Sequence, residues 1–109
     1  MPRYSMGYRT GHRGWIYVIH IKDTEAYKIG LAIKDVRKRI MGIASIMPWP
    51  VEVILISQKM VDIEWHEHKL HEHFFDKRLR GEWFELDEKD ITEIVDMLPG
   101  FLNIKRVMK

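Results

Sequence analysis

The spacing of apolar positions divides the chain into short segments of two kinds. Residues 15–21 form a continuous run of β-branched and aromatic side chains too short for a helix, so we predict a strand buried on both faces. Residues 27–31 resume this character after a polar connection of hairpin length, which predicts an antiparallel pair. Further strands are predicted at 51–57 and 82–86, whereas 101–109 fits either a strand or a loose tail.

The other segments show the helical period. Apolar residues recur at i, i+4 and i+7 from Val36, and a similar stripe precedes Pro99. Asp35, Asp62 and Asp87 each stand at the start of a helical segment as candidate N-caps. The pattern predicts an α+β domain of order ββαβαβα, with a small, mostly antiparallel sheet of three to four strands flanked by helices.

Charge is distributed unevenly along the chain. The formal net charge is +2, yet the two tails contain six cations and no acid, so the residues between them carry −4. Basic arms suit a polyanion such as nucleic acid, and a solubilising tail explains them equally well. We divide the chain into a flexible basic arm (1–14), one domain (15–100) and a basic tail (101–109). The tail cations are Arg3, Arg9, Arg13, Lys105, Arg106 and Lys109.

Composition excludes several classes of protein. No apolar run approaches the roughly 20 residues of a membrane helix, and no secretory signal precedes the first strand. The chain has no cysteine, which excludes disulfide-linked partners and thiolate metal sites. We therefore expect a cytoplasmic protein without a membrane partner, and the sequence does not indicate its oligomeric state.

Residues 62–75, DIEWHEHKLHEHFF, resemble an imidazole metal site at first sight. The zinc-binding pattern H-E-x-x-H needs two histidines four residues apart on one helix face. Here Leu70 follows His66 by four residues and Phe75 follows His71. The spacing therefore favours a solvated helix face for most of these histidines.

The carboxylates of this helix are more informative. Ile63, Leu70 and Phe74 share a narrow sector that predicts the core-facing stripe, and Glu67 lies in its middle. A carboxylate turned towards a core is costly unless it is paired or bound to a cation. From the residues alone, either an ion pair with Arg39 or a divalent metal would satisfy Glu67.

Four sequence motifs resemble the GIY-YIG nuclease superfamily. WIYVI (15–19) and YKIG (27–30) stand in the places of its two strand motifs, and RKRI (37–40) in that of its helix motif. The pieces E-x-x-L-H-x-x-F (67–74) and R-x-x-G-E-W-F (78–84) are most similar to its small phage-type branch, with which the meiotically up-regulated nuclease-like proteins are grouped. The resemblance covers residues 14 to 87.

The resemblance implies catalytic roles for two strand positions. Tyr17 would help to deprotonate or position the attacking water. The second motif departs from the family, because Lys28 occupies the slot of its tyrosine and Tyr27 precedes it. Successive strand residues face opposite ways, so only one of these two points into the site.

The resemblance also implies roles for helix residues. Arg39 would neutralise charge on the scissile phosphate, with Arg37 as its rival. Glu67 would be the single carboxylate ligand of Mg²⁺ or Mn²⁺, which prefers oxygen ligands. His71 would orient the water or the leaving group, and a packed, hydrogen-bonded histidine is the alternative.

Several cations are candidates for contact with nucleic acid. Lys34, Arg37 and Lys38 crowd the start of a helix, where positive charge opposes the helix dipole, so helix stability does not explain them. Arg9 and Arg13 of the basic arm complete this set.

These observations predict a metal-dependent endonuclease that hydrolyses DNA phosphodiester bonds at one metal. The alternative is a catalytically inactive nucleic-acid-binding module, because Lys28 replaces a tyrosine and the asparagine near the metal in some GIY-YIG members is missing. A protein-interaction domain, with Glu67 paired structurally to Arg39, is a third interpretation.

Overall fold

The computed structural model describes residues 11–98 and the backbone of a last strand at 101–108. Within these residues the chain forms six strands and three α-helices. The strands are β1 (Trp15–Ile21), β2 (Ala26–Ala32), β3 (Val51–Ser57), β4 (Arg78–Arg80), β5 (Trp83–Glu85) and β6 (Phe101–Met108), and the helices are α1 (Val36–Ile46), α2 (Ile63–His73) and α3 (Glu88–Met97).

All described strands belong to one sheet of order β4-β5-β2-β1-β3-β6, and every neighbouring pair is antiparallel. The predicted α+β class with a small antiparallel sheet flanked by helices is confirmed. The sheet is wider than predicted for two reasons. The segment predicted as a turn at 76–81 contains β4, and 101–108 pairs with β3 instead of forming a loose tail.

Two of the three predicted N-cap residues form the expected side-chain hydrogen bonds. Asp35 accepts a hydrogen bond from the backbone of Lys38 at 3.0 Å, and Asp87 forms a reciprocal capping box with Asp90. Asp62 occupies the N-cap position of α2 in a left-handed conformation (φ 52°) and makes no side-chain cap bond. The backbone N–H of Ile63 donates instead to the carbonyl of residue 12, at 2.9 Å.

The segment before β1 is tied to the domain at its described end. Gly14 and Met60 exchange backbone hydrogen bonds of 2.9 and 2.8 Å, and residue 12 contacts the start of α2. Ordered structure therefore begins before the predicted boundary at residue 15. Residues 1–10, including Arg9, lie outside the described residues.

The sheet buries apolar side chains on both faces. Ile16, Val18 and Ile29 face α2 and α3, whereas Tyr17 and Ile19 face α1. β1 is thus buried on both sides, as its continuous apolar run predicts.

The strand β2 is paired with β5 along only part of its length, and this positions the candidate active site. β5 pairs only with Ala26–Lys28, so the second half of β2 extends past the end of β5. α2 packs on this part of β2, and the His71 ring donates to the Ile29 carbonyl at 2.8 Å. Side chains from β1, β2 and α2 can therefore meet at this edge of the sheet.

Candidate active site

Tyr17 is fully buried on β1 and lies over the backbone of β2. Gly30 is its direct strand partner, and a Cβ atom added there would collide with the Tyr17 ring and hydroxyl. The glycine of the YKIG segment therefore leaves room for the phenol. This close approach fixes the position of the Tyr17 hydroxyl.

The Tyr17 hydroxyl is in an unusual electrostatic position. It is buried and has no hydrogen-bond partner of acceptable geometry. Burial raises the pKa of Tyr17 above its ordinary value, and the nearby Arg39 guanidinium opposes this rise. The carboxylates of Glu82 and Glu67 raise it further, which places both of them near the phenol. The hydroxyl is therefore protonated at neutral pH and available to a ligand.

Glu67 lies between the buried residues Ile63 and Leu70 on α2, as the helical stripe predicts. Its Oε2 atom is buried without a hydrogen-bond partner. Burial raises the pKa of Glu67 to about 7, the Glu82 carboxylate adds to the rise, and the Lys28 ammonium opposes it. Near neutral pH, Glu67 is therefore divided between its protonated and charged forms, and a bound cation would favour the charged form.

Lys28 and Glu82 form a short ion pair beside Glu67. The Lys28 side chain is 12% exposed and that of Glu82 38%. The backbone of Glu82 is held as well, because its carbonyl accepts from Ile29 at 3.0 Å. The three charged side chains of Lys28, Glu67 and Glu82 form what we call the carboxylate cluster.

Glu82 is the site residue that sequence reasoning missed. The segment around it reads as a turn followed by a strand that completes the core, and Phe84 is indeed fully buried. Gly81, with φ 58°, turns the chain between β4 and β5 and brings Glu82 to the cluster. The sequence feature that could have identified Glu82 as a site residue is the acidic position of the G-E-W-F segment.

The choice between Tyr27 and Lys28 follows from the strand register. Lys28 pairs with Ile19, on the same face as Tyr17, whereas Tyr27 pairs with His20 on the opposite face. The Tyr27 ring is buried there and stacks on His20 with centroids 4.2 Å apart. The structure therefore does not bring Tyr27 to the cluster.

Arg39 lies on the first turn of α1 and reaches towards Tyr17. Glu67 and Arg39, both described residues, make no ion pair, and the ion pair at this site joins Lys28 to Glu82 instead. Arg37 is exposed, and nothing links it to the phenol or to the cluster. Of the two arginines, Arg39 is the one near the site.

His71 follows Glu67 by one helical turn. Its Nε2–H donates to the Ile29 carbonyl, and its ring packs on Phe84 with centroids 5.0 Å apart. Burial lowers the pKa of His71, and the bond to the carbonyl opposes this. These contacts describe a neutral histidine that holds α2 against β2, next to the site.

The remaining predicted residues are cations proposed to contact nucleic acid. Lys34, Arg37, Lys38 and Arg13 are exposed, as a surface for a polyanion requires. Arg9 lies outside the described residues.

Glu67 is the residue of this site that could hold a cation. Its Oε2 is unpartnered, and Mg²⁺ or Mn²⁺ binds through one or two carboxylates while keeping several waters. No group of three or more His, Asp or Glu side chains in the described part of the chain could hold a metal ion. A cation here would rest on Glu67, with Glu82 as the neighbouring carboxylate.

The chain belongs to the T5orf172 domain family, whose model matches residues 14–98. No curated protein and no solved structure matches the chain. This family is distinct from the GIY-YIG family, so the assignment made from the short motifs is wrong. Those motifs are short separate segments of four to eight residues, whereas the family match extends over residues 14–98 as a whole.

T5orf172 domains are associated with nuclease-like and DNA-binding functions, which makes nucleic acid the expected class of ligand. Across the residues that the structure describes, none of the helices has the length and apolar character to cross a bilayer.

Proposed function

We propose that the protein is a DNA endonuclease that hydrolyses phosphodiester bonds beside the carboxylate cluster with Mg²⁺ or Mn²⁺. The observation that carries this proposal is that Glu67 Oε2 and the Tyr17 hydroxyl are both buried without a hydrogen-bond partner of good geometry, on side chains close enough for the Glu67 charge to affect the pKa of Tyr17. Buried polar atoms without partners are rare in folded proteins and call for a specific explanation. A ligand that supplies a cation and an oxygen-bound hydrogen would satisfy both.

Each residue has a part in the proposed hydrolysis. A water oxygen bonds to phosphorus while the bond to the leaving oxygen breaks, and the Tyr17 hydroxyl orients this water. The proton that the water loses passes to the solvent, and the leaving oxygen takes up a proton from the solvent. Arg39 donates to the phosphoryl oxygens, where negative charge accumulates. Glu67 would hold the cation, which supplies Lewis acidity when bound. Lys28 neutralises Glu82 and so limits repulsion between the two carboxylates.

The direct test compares nicking of supercoiled plasmid by wild type, Glu67→Gln and Glu72→Gln in Mg²⁺, Mn²⁺ or EDTA. Glu72 lies on the same helix but is exposed, so it is the matched control. We expect Glu67→Gln to lose nicking by a factor of about 100 or more, because a group acting in the transition state typically contributes this much. A Glu67→Gln variant that cuts at the wild-type rate overturns the assignment.

A second readout does not depend on cleavage. Mn²⁺ should raise the melting temperature of wild type, because a ligand that binds only the folded state stabilises it. The same addition should leave Glu67→Gln unchanged and act on Glu72→Gln as on wild type. An equal shift in all three proteins would place the cation elsewhere.

The second candidate is a DNA-binding module without catalysis. The Lys28–Glu82 ion pair favours it, because this pair neutralises one carboxylate of the cluster within the fold and leaves fewer oxygens for a catalytic cation. Binding of DNA in EDTA, with no cleavage in any divalent cation, would select this candidate.

A further inference from the structure

A groove opens between β2, the start of α1 and the segment that precedes β1. Its volume is about 770 Å³. Leu31 and Ile33 at the end of β2 contribute apolar surface, and the Ile33 side chain is 39% exposed. Arg39, assigned above to the candidate active site, is among its lining residues. The groove, which we call the β2–α1 groove, therefore shares Arg39 with that site.

One wall of the β2–α1 groove is cationic. Lys34, Lys38 and Arg39 line it and are all exposed. Its one acid is Asp35, whose carboxylate accepts the backbone N–H of Lys38 and so serves as the cap of α1. The groove thus combines an apolar surface with a wall of positive charge.

His12 closes the groove from the side of the N-terminal segment. Its backbone N–H donates to Glu64 Oε1 at 2.8 Å, and its Nδ1 lies 2.5 Å from Glu64 Oε2. These two contacts fix the imidazole and do not involve its Nε2 atom. The segment is therefore held in place as a wall of the groove.

We propose that the β2–α1 groove holds an unpaired strand of DNA leading to the candidate active site, so that flapped or single-stranded DNA is bound in preference to blunt duplex. This inference rests on the proposed function, since it names the form of its substrate. The apolar surface can pack against the face of an unstacked base, while the cations bind the phosphates. A duplex turns its bases inward and presents mainly its charged backbone, which leaves the apolar surface unused.

The size of the groove agrees with this occupant. Sites for compact organic ligands measure about 300–1,000 Å³, a range that covers one or two nucleotides. Because Arg39 lines the groove, a strand held there would lie within reach of the arginine proposed to bind the phosphoryl oxygens.

The test measures binding of fluorescent oligonucleotides by anisotropy in EDTA, where no cleavage occurs. The probes are a single strand, a blunt duplex and the same duplex with a single-stranded flap. We expect wild type to bind the single strand and the flap about tenfold or more tightly than the blunt duplex. Equal affinity for all three probes overturns the inference.

Two variants locate the binding. Lys34→Gln/Lys38→Gln should weaken single-strand binding about tenfold and lower the salt slope by roughly 1.4, at about 0.7 for each phosphate that is no longer neutralised. Ile33→Glu should weaken it comparably by placing a carboxylate on the apolar surface. The matched controls are Lys22→Gln/Lys89→Gln and Leu79→Glu, which change exposed residues outside the groove.

The outcomes separate this inference from the proposed function. Control variants that reduce affinity as much as the groove variants do would overturn the groove as the binding site. Selective binding of the flap without cleavage in Mg²⁺ or Mn²⁺ would overturn the endonuclease and leave the groove assignment intact. Cleavage with no preference for unpaired strands would overturn the groove assignment and leave the endonuclease intact.

Discussion

At the scale of single residues, Glu67 shows how the site conflicts with stability. A half-buried carboxylate with one buried, unpartnered oxygen is unfavourable when charged, and its pKa of about 7 expresses this cost. A group whose pKa is higher in the folded than in the unfolded protein lowers stability as pH rises between the two values. The ordinary value of the carboxyl is 4.5, so this loss falls between about pH 4.5 and 7.

We therefore expect Glu67→Gln to become more stable than wild type as the pH rises through this window. At pH 8 the gain in free energy of unfolding should be on the order of 1 kcal/mol, because partial exposure screens much of the effect. Near pH 4.5 the difference should be smallest. Urea denaturation at several pH values measures it, with Glu72→Gln as control, and a difference independent of pH would contradict the environment described for Glu67.

Gly30 provides a second prediction at this scale. Gly30→Ala should displace the Tyr17 ring, because the added methyl group would collide with it, and overpacking of this kind costs about 1–3 kcal/mol. Gly42→Ala is the matched control, since its Cβ would meet no atom within 4 Å and alanine favours the helix by up to about 1 kcal/mol. Melting temperatures should fall for the first variant and hold or rise for the second. An unchanged melting temperature in Gly30→Ala would refute the close approach.

At the scale of elements, α3 is held at its start by a buried acid. Asp90 is 3% exposed, accepts from the backbone of Asp87 at 3.0 Å and pairs with Lys77 at 2.6 Å. Burial alone would raise the pKa of Asp90, but the bonds from Lys77 and Asp87 outweigh it and lower the pKa below its ordinary value. The charge of Asp90 therefore stabilises the fold above about pH 4, the ordinary range of an aspartate, and this stabilisation is lost as the pH falls through the lowered pKa.

Asp90→Asn should lower the free energy of unfolding at pH 7 by about 1–3 kcal/mol, because the amide is uncharged and has one acceptor oxygen where the carboxylate uses two, one for Lys77 and one for the backbone of Asp87. The deficit should begin to shrink below about pH 4, where the carboxyl of the unfolded chain becomes protonated, and should vanish as the pH falls through the lowered pKa of folded Asp90. Asp96→Asn, an exposed change on the same helix, should stay within about 0.5 kcal/mol of wild type. Chemical denaturation at pH 7 and pH 3 gives the comparison, and a deficit as large at pH 3 as at pH 7 would exclude the charge as its cause.

At the scale of the whole molecule, positive charge gathers on the α1 side of the sheet and in the N-terminal arm. Arg3 and Arg9 belong to residues 1–10, outside the described residues, while Lys34 and Lys38 line the groove. If both sets contact one DNA ligand, their contributions to the salt dependence of binding should add.

Deleting residues 1–10 should therefore weaken DNA binding and lower the slope of log K against log salt. The expected reduction is roughly 1.4–1.8, at about 0.7–0.9 for each of the two arginines removed. Anisotropy titrations over a range of salt concentrations measure it, with Lys22→Gln/Lys89→Gln as a control that removes the same charge elsewhere. An unchanged slope would favour the interpretation of the arm as a solubilising tail.

The sequence alone determined the features that depend on local periodicity. The apolar run of β1, the pairing of β1 with β2 and the stripe that places Glu67 among Ile63 and Leu70 all follow from side-chain spacing of about 2 or 3.6 residues. Alternation along β2 likewise required Tyr27 and Lys28 to face opposite ways.

Tertiary structure decided which of these residues meet. The position of Glu82 beside Glu67 depends on the turn at Gly81 and on how β5 pairs with β2, and no local pattern records that pairing. The same holds for β6, and for Asp62, whose capping role is taken over by a backbone carbonyl distant in sequence. Short-range spacing fixes the face on which a side chain lies, whereas the packing of elements fixes its neighbours, and the electrostatics of a site depend on those neighbours.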